Sequence, residues 1–155
     1  MSLHFEDFET GRRWHTGGRT VTEAEIVGFA AVHDAQRLHL DAAWAAQGPF
    51  RGLIASGFQT LALAWSLWLR TGALEDTGRG GIGIDELRWT APLRPGDTIS
   101  DLVEVVDRSS VAKRGRGRVV LAHTVSNQRG EVILTFHSIC LVASAAEQGG
   151  QPSAS

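Results

Sequence analysis

The stretch His33-Asp34-Ala35-Gln36-Arg37-Leu38-His39-Leu40-Asp41 holds a carboxylate, Asp34, and an imidazole, His39, between two segments with helical spacing. Two titratable groups near one small substrate can share the work of a general base and a general acid. A turn between helices can aim both at the same point. The same residues have plainer uses: Asp34 as a cap on the preceding helix, and His39 as the filling of a half-buried slot. A metal is a third use, because His33, Asp34, His39 and Asp41 are all potential ligands. Apolar surroundings and the lack of a further ligand cluster argue against it, so no metal is expected. Asp41 reads as a helix cap, and His33 as a packing or hydrogen-bonding residue at a helix end.

The elements that must position the pair can be read on either side of it. Thr22-Glu23-Ala24-Glu25 has the form of a capping box. Ile26, Phe29, Ala30 and His33 then recur at helical spacing, which predicts a helix over residues 23–33. Asp41 caps a short helix from Ala42 to Gln47 that Gly48-Pro49 ends, leaving Asp34–Leu40 as the turn between. A loop from Phe50 to Ser56 follows. Gly57 opens a third helix of roughly four turns, apolar on nearly every face of Phe58–Leu69, which predicts that it is wrapped on most sides.

The second half changes character. Residues 83–89, 98–107, 118–126 and 131–142 are rich in Val, Ile, Leu and Thr with partial alternation, and predict strands. The breaks at 92–97, 113–117 and 127–130 carry turn chemistry and predict antiparallel hairpins, hence a meander sheet. The fold class is α+β: an antiparallel sheet wrapped around one long central helix, which is the hotdog architecture, with a helical overhang carrying the Asp34 turn.

Composition bounds what such a domain does. The chain has 155 residues with 15 Lys and Arg against 17 Asp and Glu, a net charge of −2, which argues against nucleic-acid binding. The single cysteine, Cys140, leaves no disulfide framework and reads as an inert core thiol in a reducing, cytoplasmic setting. Residues 1–16 lack the apolar core of a secretory signal, and Phe58–Leu69 is too short to span a bilayer. One domain over residues 1–143 and a disordered Ala/Ser/Gly/Gln-rich tail over 144–155 are expected. His123 and His137 lie in strand segments with no partner spacing and read as structural.

At this level of detail the chain resembles the MaoC-like dehydratases, a hotdog family that includes (R)-specific enoyl-CoA hydratases. Its lead-in is similar to Arg19–Ala31 here, and its Asp-x-Asn-Pro-x-His segment with the following x-Asp to Asp34–Asp41. The Phe-Gly-x-x-Ile-Ala-His-Gly element is similar to Phe50–Gly57, and the Pro-Gly-Asp turn to Arg94-Pro95-Gly96-Asp97-Thr98. The resemblance covers roughly Phe5 to Val142 in order. It implies Asp34 and His39 as the catalytic pair and the Gly57 N–H as the donor to a thioester carbonyl. It departs at Gln36 and Arg37, which replace Asn-Pro, at Ser56, which replaces a histidine, and at Trp65, which stands where hydratases have a small hydroxyl residue.

The implied reaction adds water to a trans-2-enoyl thioester, or removes it from an (R)-3-hydroxyacyl thioester. It needs no cofactor beyond the coenzyme A or acyl carrier of the substrate, and the family implies a homodimer. Ser56, Phe50, Trp65 and Arg37 are expected against the substrate, with Trp65 and Trp68 shortening an acyl pocket. Lys113, Arg114 and Arg116 could meet phosphates or an acidic carrier, although a solvated hairpin turn is the preferred reading of that cluster. The rivals are a hotdog thioesterase and a non-catalytic acyl-thioester binding protein.

Overall fold

Thr22 starts the first helix as its capping box requires: its hydroxyl accepts the Glu25 N–H at 3.2 Å, and the Glu25 carboxylate accepts the Thr22 N–H at 2.9 Å. In this computed structural model, which describes residues 2–111 and 115–146, that helix is α1, Glu23–His33. Asp41 caps α3, Ala42–Ala46, by accepting from the Trp44 N–H. The segment between is more than a turn, because residues Arg37–Leu40 close into a single helical turn, α2. Ser56 caps α4, Gly57–Leu69.

The strands are β1 Arg13–His15, β2 Arg19–Thr20, β3 Gly78–Trp89, β4 Thr98–Val111, β5 Arg116–Ser126 and β6 Val132–Ala143. All pairings are antiparallel. The order β1-β4-β5-β6-β3, with β2 also on β4, is a meander only over β4, β5 and β6. The predicted hairpin at 92–97 is instead a crossover: β3 pairs with β6, and residues 90–97 carry the chain to the far side of the sheet. Short strands β1 and β2 extend the β4 edge and carry no alternation long enough to read. Among the described residues, no helix is long and apolar enough to cross a membrane.

The sheet and α4 enclose the core as a hotdog fold. Leu63, Ala64 and Leu67 of α4 pack with Val125, Ile133, Leu134 and Phe136, while Trp68 enters a second cluster with Phe8, Val103, Leu121 and Cys140. A helix of this length is marginal alone, and burying its large side chains, at about 1.5–3 kcal/mol each, is what holds it. Trp68, expected to shorten an acyl pocket, is fully buried here, among the side chains of that second cluster. The expectation that α4 is wrapped on most sides holds for one face only. Phe58 is 62% exposed and Leu69 45%, with Leu61 and Trp65 half-buried between them. One chain's sheet curls past only one side of the helix, so this apolar stripe stays open beside β3, where Ile82 and Ile84 are also exposed. Residues 144–146 do not drift from the sheet: the Ser144 N–H bonds the Gly115 carbonyl and the Ala145 N–H bonds Glu6. The rest of the tail, and Lys113 and Arg114, lie outside the described residues.

The box holds the helix whose last turn delivers Asp34. Thr22→Ala therefore lowers unfolding free energy by about 1 kcal/mol, measured by denaturant titration, with the sheet's far end unaffected.

Candidate active site

Asp34 is the C-cap of α1, its N–H on the Ala30 carbonyl at 2.9 Å. The capping use and the chemical one therefore coincide in one residue. Its carboxylate collects three groups from three places in the chain. Gln36 Nε2 donates to Oδ1 at 2.7 Å, Ser56 Oγ donates to Oδ2 at 2.7 Å, and His39 Nε2 lies 3.3 Å from Oδ2. The Gln36 and Ser56 donors hold the carboxyl below the ordinary carboxylate range, with His39 adding to the effect. Asp34 is accordingly a carboxylate at neutral pH.

His39 sits on α2 and is 4% exposed. Its Nδ1 is 2.7 Å from the Ile54 carbonyl, which can only accept, so Nδ1 carries the proton. The other ring nitrogen, Nε2, faces Asp34. The 50–56 loop that supplies Ile54 is tied on both sides. The Ile54 N–H bonds Leu38, the Ala55 N–H bonds Leu93, and Arg94 Nη2 donates to the Phe50 carbonyl at 2.7 Å. Arg94 is itself set by the turn predicted at 94–97, where Asp97 accepts the Arg94 N–H and Gly96 takes φ +84.

Gly57 is the first residue of α4. Helix-starting N–H groups have no intrahelical partner; the Ser56 hydroxyl takes that of Phe58 at 3.2 Å, and that of Gly57 makes no hydrogen bond among the described residues. Trp89 lies flat against this glycine. Its Nε1 donates to the Gly57 carbonyl at 2.9 Å, and a Cβ added at Gly57 would stand 2.5 Å from the indole. Asp34, Gln36, His39 and Gly57 line one cavity of about 410 Å³, with Phe50, Phe58, Trp89 and the 90–93 segment forming much of its apolar wall.

Of the expected substrate contacts, Phe50 lines this cavity and three residues do not. Ser56 is fully buried behind Asp34 and acts on the carboxylate. Arg37 turns outward, pairing with Asp41 at 2.9 Å and stacking 5.1 Å over Trp44. Trp65 lines a different cavity. Arg116 begins β5, whose other end, through Val125, Leu134 and Trp89, borders the site. Nine steps of strand from Arg116 to Val125, about 30 Å, separate it from this chain's cavity. The donor roles of Gln36 and Trp89 had no local signal, although Gln36 stood out as a replacement for asparagine.

Residues 7–127 match the family model described as MaoC like domain. The 3-hydroxybutyryl-CoA dehydratase of Methylorubrum extorquens is 32% identical over 142 residues, which is 90% of this chain and 84% of that protein. The crystal structure of the MaoC-like dehydratase from Rhodospirillum rubrum is 34% identical, with a TM-score of 0.81 over 92% of this chain and 97% of that one. The R-hydratase PhaJ1 from Pseudomonas aeruginosa is 27% identical, with a TM-score of 0.75 over 92% and 86%.

Two outcomes follow from this geometry. Gly57→Ala forces the indole away and costs about 1–3 kcal/mol of stability; adding Trp89→Leu restores most of that loss in denaturant unfolding. Asp34's lowered value in the fold stabilises the protein above the ordinary carboxylate range, a contribution lost as pH falls through that lower value. Gln36→Leu shrinks this contribution, so the difference in Tm from wild type is largest near neutral pH and closes on acidification.

Proposed function

Since the chain belongs to the MaoC-like domain family, we propose that it is a hydro-lyase acting on acyl thioesters, adding water to a trans-2-enoyl thioester or removing it from the (R)-3-hydroxyacyl one. The observation that carries this reading is the carboxylate–imidazole pair facing the same cavity as the start of α4. The dehydratase and R-hydratase relatives support the reaction class.

The thioester carbonyl accepts the Gly57 N–H, which stabilises the enolate as charge moves onto oxygen. Water sits between Asp34 and His39. His39 Nε2 takes its proton, and the Asp34 carboxylate, already ionised, orients the water and stabilises the imidazolium. The hydroxide adds at the β-carbon, and the same proton passes to the α-carbon, so both side chains end as they began. Nothing beyond the substrate's own coenzyme A or carrier is required, and a cytoplasmic setting suits such substrates.

A second copy of the chain covers the open stripe of α4 and the exposed edge of β3. An unpaired strand beside Phe58, Ile82 and Ile84 is a surface that soluble proteins rarely leave bare. Ile84→Arg accordingly shifts the mass measured by light scattering from dimer to monomer.

Hydration of enoyl-CoA, followed by loss of the conjugated absorbance, tests the reaction, and a thiol-release assay on saturated acyl-CoA separates it from thioester hydrolysis. Asp34→Asn and His39→Ala each lower kcat by about 10²–10⁴. Near-normal rates in both variants overturn the mechanism.

A further inference from the structure

Of the cations expected against phosphates, Lys113 and Arg114 lie outside the described residues, and Arg116 lies far along β5 from this chain's cavity. The rim of that cavity carries others. Segments 42–58 and 87–96 supply most of the wall around Asp34 and His39. They hold Arg51, Arg88 and Arg94 and no acidic residue, in a chain whose net charge is −2. Positive charge is thus gathered where a substrate enters.

Arg51 is the unusual member, because its φ is +55. A Cβ makes this left-handed conformation costly, and glycine takes it freely. Among the described residues two others than glycine adopt it, Arg51 and Glu86, and Glu86 falls at the irregularity in β3 between Asp85 and Arg88. Arg51 has no strand to fit. Its N–H closes a turn on the Gly48 carbonyl at 3.0 Å, and it stands where the similar Phe-Gly-x-x-Ile-Ala-His-Gly element has its first glycine. Strain of this kind gathers at binding sites, and an arginine in a glycine's place directs attention to its side chain.

That side chain is exposed and makes no hydrogen bond among the described residues. Phe50, which lines the cavity, is its neighbour, about 3.8 Å away along the backbone. Arg94 Nη2 donates to the Phe50 carbonyl at 2.7 Å, and a Cβ added at Gly52 would stand 3.4 Å from Arg94 Nη1. The Arg94 guanidinium therefore lies against the residues on both sides of Arg51. Among the described residues neither guanidinium has a carboxylate partner, whereas Arg37 is paired with Asp41 and Arg118 with Asp107. A guanidinium with its N–H groups free matches the oxygens of a phosphate two at a time.

We propose that Arg51, with Arg94 beside it, binds a phosphate of the carrier that bears the thioester. Coenzyme A and a phosphopantetheinylated carrier protein both present that chemistry. This inference rests on the hydratase reading above. It is tested with one trans-2-enoyl group carried on pantetheine, on phosphopantetheine, on coenzyme A and on acyl carrier protein, comparing wild type with Arg51→Gly. Glycine suits the backbone of the turn, so Tm stays level or rises. On the phosphate-bearing thioesters kcat/KM falls about tenfold, chiefly through KM, the worth of one charge-assisted hydrogen bond, while the pantetheine thioester is unaffected. The loss shrinks at high salt, and Arg51→Lys recovers part of it. A loss on phosphopantetheine and both carriers supports the proposal and names the arm's own phosphate; a loss on coenzyme A alone supports it and names the nucleotide's phosphates. A loss confined to the carrier protein, equal losses on all four thioesters, or no loss on any overturns it, as does a Tm for Arg51→Gly well below wild type. If wild type hydrates none of the four, the hydratase reading fails by itself; calorimetric binding of coenzyme A then decides this inference, with equal affinity in wild type and Arg51→Gly overturning it.

Discussion

The Ser56 hydroxyl joins the start of α4 to the carboxylate of Asp34. It accepts the Phe58 N–H and donates to Asp34 Oδ2, so one buried oxygen both begins the central helix and sets the acid's position. A buried hydroxyl with both roles satisfied has little freedom to move without leaving a polar atom unpaired. The three segments that meet here are α1, which ends on Asp34, the α2 turn with Gln36 and His39, and the loop before α4. α1 buries Ile26 and Ala30 and the loop buries Leu53 and Ala55 against the core, while the α2 turn buries His39. Their relative placement depends on this small set of hydrogen bonds and on the core beneath α4.

The loop from Phe50 to Ser56 shows the same economy. Its Ile54 carbonyl fixes which nitrogen of His39 is protonated, and its own position is held by Leu38, Leu93 and Arg94. Changes at the 94–97 turn therefore reach the imidazole through two backbone contacts and one guanidinium, without touching the cavity. A proline in the α2 turn would pre-shape the backbone. Here Gln36 and Arg37 stand instead, one bonding Asp34 and the other pairing outward with Asp41.

Much of the helical half could be read residue by residue, because its signals are local. The Thr22–Glu25 box, the Asp41 cap and the Gly48-Pro49 stop each act within one turn, and α1 matches the predicted bounds. The pairing of strands was less legible: alternation says that a segment is half-buried but does not name its neighbour. Pro92–Asp97 looks like a hairpin turn and is a crossover. The same limit hid Trp89 against Gly57, 32 positions away, and Ser138 and Asp101 on either side of His123, 15 and 22 away. Asp34, His39 and Gly57 emerged because they fall on a recognisable order of short motifs. Trp65 borders a cavity other than the one holding Asp34, because helical spacing gives a face but not the cavity that face borders.

The position of β3 has a kinetic consequence. Asp34 and Ser56 are 22 positions apart, and the caps that start α1 and α3 are local, whereas α4 is held by its burial against β5 and β6. Trp89 reaches Gly57 only after β3 has paired with β6, a strand that is synthesised and closes much later; Gly78 must find Val142. Such non-local pairing sets the pace for small sheets. Until β3 is placed, Asp34 and His39 lack the wall that Trp89 supplies. The apolar wall that gives the cavity its shape is the last part of the site to be made.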